Sequence, residues 1–156
     1  MKLDQKDIQI VSLLRNNARL SNKEIAGELG IAASTCHERL KRLTREGVFK
    51  SFNANYNLEK LGFNIEVMIS IQLNKHEREV INSFIKNARK INGVIKLYHM
   101  AGKTDFMLHV AVQNSNELRS LILDELTKFS YIGHIESSMI YYHENINQLS
   151  IKPHGL

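Results

Sequence analysis

The sequence predicts an α+β protein in two parts, and three observations carry that prediction. Residues 4–46 show helical apolar stripes separated by caps, residues 64–73 alternate between apolar and polar side chains, and from there strand and helix periods take turns to the last strand. A length of 156 residues suits one ordinary domain or two small ones, each with a modest core.

Asp4 is a plausible N-cap for a first helix with Ile8, Val11 and Leu14 on its stripe, flanked by Ile10 and Leu13, ending near Asn16-Asn17. Ser21-Asn22-Lys23-Glu24 is a capping box that opens a second helix, with Ile25, Ala26 and Leu29 on one face. Gly30 stops it, because glycine accepts the left-handed conformation that ends a helix tightly. Ile31 follows as an apolar plug. A third helix then presents Cys36, Leu40 and Leu43, which lie within roughly 40° of one another at about 100° per residue. This is the layout of a helix-turn-helix, whose second helix enters the major groove of DNA.

The far side of that third helix is suited to nucleic acid. Ser34, Thr35, Glu38, Lys41, Arg42 and Arg45 point away from the apolar stripe, and His37 and Arg39 flank it. Guanidinium forks reach guanine edges or phosphate oxygens, hydroxyls reach either, and Glu38 can accept from cytosine N4. On this pattern Arg42 and Arg45 are expected to contribute most, with no part in the fold. A charged helix face is often only a solvated one, but here the capping box, glycine turn and second stripe accompany it. Charge distribution agrees. The chain carries a net +5; residues 1–50 hold ten Lys/Arg against six Asp/Glu (+4) and residues 51–156 eleven against ten (+1). Positive charge thus concentrates where phosphates would be met.

Gly47 ends the third helix, and the polar run from Ser51 to Asn57 reads as an extended connector. In the strand over 64–73, Ile65, Val67, Ile69, Ile71 and Leu73 share one face and Glu66, Ser70 and Gln72 the other. A helix follows over 76–90 with Val80, Ile81, Phe84, Ile85 and Ala88. Asn92-Gly93 breaks it, and strands near 94–100 and 105–112 are joined by Ala101-Gly102-Lys103-Thr104. Asn114 or Ser115 caps another helix bearing Leu118, Leu121, Ile122, Leu126 and Phe129, and Gly133 precedes a last strand running through Tyr142. The βαββαβ order predicts a ferredoxin-like sandwich with helices on one sheet face.

If Met100 pairs with Asp105, then Ile95, Leu97, Phe106, Leu108 and Val110 face the helices, while Val94, Tyr98, Met100, Met107, His109 and Ala111 face away. Both faces are then largely apolar. Two helices cover one, so the other calls for a partner, and a second copy of the chain is the simplest.

The single cysteine, Cys36, excludes an intramolecular disulfide and any multi-cysteine zinc site. The histidines are scattered, His99 and His109 fall on opposite sheet faces, and neither H-E-x-x-H nor paired Cys/His spacing occurs, so no metal site is expected. No P-loop, dinucleotide fingerprint or nucleophile elbow appears, so neither cofactor nor catalysis is expected. Without a membrane-length apolar run or a signal-peptide core, a cytoplasmic, nucleoid-associated protein is expected, with no membrane partner.

These motifs, in this order and spacing, closely resemble the Lrp/AsnC, or feast/famine, family of transcriptional regulators. Leu3-Asp4 with Asp7-Ile8, then Asn17-Ala18-Arg19-Leu20-Ser21, resemble the family's opening. Leu29-Gly30-Ile31, Arg39-Leu40-Lys41-Arg42-Leu43 and Glu46-Gly47-Val48 match its recognition unit. Leu61-Gly62-Phe63 is similar to the entry to its C-terminal domain, and Gly102 with Asp105-Phe106 to its Gly-x-x-Asp loop. Ala32 departs from the usual capping serine, Thr104 from a frequent aromatic, and Ser137-Ser138-Met139 from the usual threonines.

The resemblance implies a helix-turn-helix DNA-binding domain of winged type over 1–50, an extended linker over 51–63, and a ferredoxin-like ligand-sensing and oligomerisation domain over 64–156. It implies double-stranded DNA as partner, an amino acid or related metabolite as effector, and homodimers that assemble to octamers. The expected effector site comprises Met100, Ala101, Gly102, Thr104, Asp105, Ser137 and Ser138. Asp105 would hold an ammonium group and loop N–H groups a carboxylate. Glycine and aspartate also shape ordinary hairpin turns, so that role stands beside the first. An alternative function is a small-molecule-binding or metabolic module whose helix-turn-helix serves protein interaction.

Overall fold

The computed structural model describes residues 2–144, and the part of the expected second domain over 145–156 lies outside the described residues. The chain forms two compact units, one up to Asn55 and one over Tyr56–His143. Among the described residues no helix is long and apolar enough to cross a membrane.

The first unit holds α1 (Gln5–Asn16), α2 (Asn22–Leu29) and α3 (Ala33–Arg45). Asp4 caps α1 and Ser21 caps α2, each within a reciprocal capping box. Gly30 closes α2 at φ 61. Ile10, Leu14, Ile25, Ala26, Leu29, Cys36 and Leu43 form the buried core, with Val48 and Phe49 folded against it. A full burial is worth about 1.5–3 kcal/mol for such side chains, so a core this small leaves polar links decisive for stability.

After a single tight turn at Glu59–Leu61, the second unit contains β1 (Ile65–Leu73), α4 (Arg78–Ala88), β2 (Val94–His99), β3 (Phe106–Val112), α5 (Ser115–Ser120) and β4 (Ile132–Met139). The sheet order is β2-β3-β1-β4, antiparallel throughout. Val67, Ile69, Ile71, Phe106, Leu108 and Val110 meet Phe84, Ala88, Leu121 and Leu126 in one core. Its centre is the Phe84–Phe106 pair, with ring centroids 4.5 Å apart. The helices therefore cover one face of the sheet, as the βαββαβ order predicts.

Three expectations need correction. A bulge between Val94 and Lys96 sets Val94 opposite Val110, so Val94 joins the core while Ile95 turns outward. Strict alternation had assigned these two the other way. Gly133 lies inside β4 rather than before it, and β4 ends at Met139 rather than Tyr142. A Cβ at Gly133 would stand 2.1 Å from Asn74 Oδ1, so the site's absent side chain makes room for a neighbour. Finally, the helix after Ser120 widens over Leu121–Leu126, closing bonds five residues back. The widening turns both Leu121 and Leu126 inward, and Phe129 leaves the helix to stack on Tyr131 at 5.4 Å.

Candidate functional site

The N-terminal unit is locked at the crossing of α1 and α3. Asp4 Oδ1 accepts from the Asp7 N–H at 2.9 Å, and Asp7 Oδ2 accepts from the Asp4 N–H at 3.0 Å. Asp7 is completely buried, and its carboxylate also receives Arg39 Nη1 at 2.8 Å and Arg42 Nη2 at 2.5 Å. Arg39 Nη1 reaches Asp4 Oδ2 at 2.6 Å as well. Hydrogen bonds to Asp4 and then Asp7 raise the Arg39 pKa above its ordinary value. Partial desolvation works upward on Asp4, but the Asp7 amide and Arg39 outweigh it and leave its carboxyl below the usual value.

This corrects the expectation for Arg42. It does take part in the fold, as a partner of a buried carboxylate on α1, and Arg39 shares that role. Helix angle alone placed it outward. The guanidinium is long enough to reach back, and only the crossing of α1 shows what it finds. Ser34, Thr35, His37, Glu38, Lys41 and Arg45 are exposed on α3, with the Arg45 side chain 71% accessible. Glu46 lies 3.6 Å from Arg45, an exposed contact too weak to withhold it from a phosphate or base. The N-cap residue Ala32 gives α3 no side-chain cap. Separately, Asn22 Nδ2 donates to the Ala33 carbonyl at 2.7 Å, tying α2 to the start of α3.

In the second unit the Met100 N–H bonds the Asp105 carbonyl at 2.8 Å, the pairing read from the sequence. Met100, Ala101 and Gly102 are exposed, and Thr104 and Asp105 are half-buried. Asp105 already has partners: Oδ2 accepts the Leu73 N–H at 2.7 Å and Oδ1 meets His76 Nε2 at 2.9 Å. The loop is thereby fastened to the end of β1. His76 was not foreseen, because it falls outside any apolar period.

Ser137 and Ser138 do not join this loop. Ser137 pairs with Ile69 and Ser138 with Met68, so adjacent serines point to opposite faces. They lie two strands across and about four residues along from Asp105, a separation on the order of 15 Å.

The face away from the helices presents Glu66, Met68, Ser70, Lys96, Tyr98, Met107, His109 and Ala111. At its end Glu66, His109 and His143 converge, with donor atoms within 4.8 Å of one another. Comparison of His99 with His109 missed this group, because Glu66 and His143 carry no spacing signal toward His109.

Known proteins match both units. Residues 3–50 match the family model described as winged helix-turn-helix DNA-binding, and residues 66–145 that of the Lrp/AsnC ligand binding domain. The HTH-type transcriptional regulator AldR of Mycobacterium tuberculosis is 37% identical over 91% of this chain and 79% of its own length. Transcriptional regulator AzlB of Bacillus subtilis is 29% identical, covering 88% of each. The crystal structure of a Neisseria meningitidis transcriptional regulator in complex with L-Met superposes with a TM-score of 0.87 at 25% identity, covering 95% of this chain and 96% of that one.

Proposed function

The chain belongs to the Lrp/AsnC family, as a transcriptional regulator with a DNA-binding helix-turn-helix and a ligand-binding domain, and on that premise we propose how its residues divide the work. Residues 1–50 bind double-stranded DNA, 51–63 connect, and 64–156 sense the effector and assemble. Its working location is then the nucleoid, in the cytoplasm. Within α3, the exposed Ser34, Thr35, His37, Glu38, Lys41 and Arg45 face the major groove. Arg39 and Arg42 hold the helix at its angle through Asp7. The observation that carries this division is the buried Asp7 carboxylate receiving both guanidiniums, while Lys41 and Arg45 stay exposed.

The test is a gel shift on genomic fragments with Lys41→Ala/Arg45→Ala. The variant should retain its fold and lose at least tenfold in affinity, since a single base-reading arginine is worth about 1–3 kcal/mol. Unchanged binding with the fold verified rejects this face and favours a protein-interaction role for the helix-turn-helix.

For the effector we propose a free amino acid at the loop over 100–105. Its ammonium would take the Asp105 oxygen beside exposed His76, and its carboxylate the loop N–H groups. The L-Met complex of the Neisseria relative supports this chemistry. A second reading also has an observation behind it: the Asp105 bond to the Leu73 N–H suits a purely structural turn. Calorimetry with the full set of amino acids separates them. Binding that Asp105→Ala abolishes supports the effector, whereas no response to any amino acid leaves the turn.

A further inference from the structure

Glu66, His109 and His143 come from three places in the chain and meet on the sheet face away from the helices. The β1–β3 register sets Met68 opposite His109 and Glu66 opposite Ala111, so Glu66 and His109 are diagonal neighbours on one face. Beyond β4, the Ile140 N–H bonds the Glu66 carbonyl at 2.9 Å, and this returns His143 over the Glu66 side chain. His109 Nε2 then stands 2.8 Å from Glu66 Oε2, and His143 Nε2 3.1 Å from the same oxygen. The two imidazoles lie edge to face, centroids 5.7 Å apart at 88°. His109 is only 8% exposed, while the His143 side chain is half exposed.

One histidine would satisfy Glu66 as a hydrogen bond. Two imidazoles that turn the same ring nitrogen toward one carboxylate oxygen form a converging donor set instead. A tetrahedral zinc-class ion takes N and O donors at about 2.0–2.2 Å, which sets donors roughly 3.3 Å apart. The 2.8 and 3.1 Å separations open to that value, and the two histidine nitrogens, within 4.8 Å of each other, come to it by side-chain rotation. A set of two imidazoles and one carboxylate suits zinc, cobalt, nickel or copper and is too poor in oxygen for calcium or magnesium. Lys96, opposite His109 on β2, is exposed, and its long stem lets the ammonium turn to solvent.

We propose that Glu66, His109 and His143 form a three-ligand site for a divalent transition-metal ion of the zinc class, its fourth position open on the His143 side. The site lies at the opposite end of β1 from the 100–105 loop, on the sheet face that also carries Met68, Tyr98 and Met107. A bound ion would tie β1 and β3 to the segment that follows β4.

The test uses the full-length, untagged, chelator-stripped protein titrated with zinc by calorimetry and with cobalt by visible absorption. The expected result is one ion per chain and the d–d bands of a four-coordinate cobalt site. His143→Ala and Glu66→Gln, with folds checked by circular dichroism, should each lose at least tenfold in zinc affinity. Loss of even an outer hydrogen-bond partner costs about 10–100-fold, and these are direct ligands. The absence of both heat and cobalt bands with metal in large excess overturns the proposal. So does binding at half an ion per chain, or binding that both variants retain.

Discussion

Asp7 carries more of the N-terminal unit than its position in the first turn suggests. One buried carboxylate caps the backbone at Asp4 and receives guanidiniums from Arg39 and Arg42. Removing one partner of a buried pair costs about 3–5 kcal/mol; these arginines are partly solvated, so Asp7→Asn should lose about 2–3 kcal/mol, read by urea denaturation. Arg42→Ala should also lower stability, whereas Arg45→Ala should leave it unchanged and weaken only DNA binding. Asp4 adds a pH dependence of known sign. Its folded pKa lies below the ordinary 3.8, so its stabilisation is complete above that value and is lost as pH falls through the folded pKa. Acid titration should therefore show the Asp4→Asn variant converging on the parent at the lowest pH, and a constant difference would refute it. The sequence marks Asp4 as a cap because a cap is a local device. The burial of Asp7 is not local, since it depends on where α3 crosses α1.

At the scale of elements, local signals were legible and tertiary adjustments were not. Ser21 with Glu24, Gly30, and the alternation through β1 act within a few residues, and the chain folds as they direct. The bulge at Ile95, the widened turn after Ser120 and the seating of Gly133 against Asn74 answer to neighbours distant in sequence. The separation of Ser137 and Ser138 from the 100–105 loop is likewise a matter of register, which family resemblance does not reveal. Gly93 combines both kinds of constraint. It lies at φ 88, and a Cβ there would stand 2.9 Å from the Ala111 carbonyl oxygen. Gly93→Ala should cost about 2–4 kcal/mol, combining a left-handed backbone penalty of about 1–2 kcal/mol with overpacking against backbone that cannot yield. Denaturation should show that loss, and a change within about 0.5 kcal/mol would mean the β2 entry relaxes freely.

For the whole molecule, the uncovered sheet face with Met68, Tyr98 and Met107 argues for self-association. If a second copy covers it, Met107→Glu buries an unpaired charge at a cost of about 3–5 kcal/mol, enough to weaken a dimer more than ~100-fold. Sedimentation velocity should show dimers or larger for the parent and monomers for the variant, and a monomeric parent at micromolar concentration would sink the idea. The sheet order has a further consequence, one of timing. β1 is made first yet occupies an interior position, flanked by β3 and by β4, the last strand among the described residues. On the ribosome one edge of β1 can pair with β3, but the other waits unpaired until Ile132–Met139 has emerged, while the N-terminal helices complete themselves from neighbours already present. Nascent chains arrested before Ile132 should therefore carry a finished helical unit and a β1 with one edge still open, and pelleting of such chains should exceed that of chains extended past Met139.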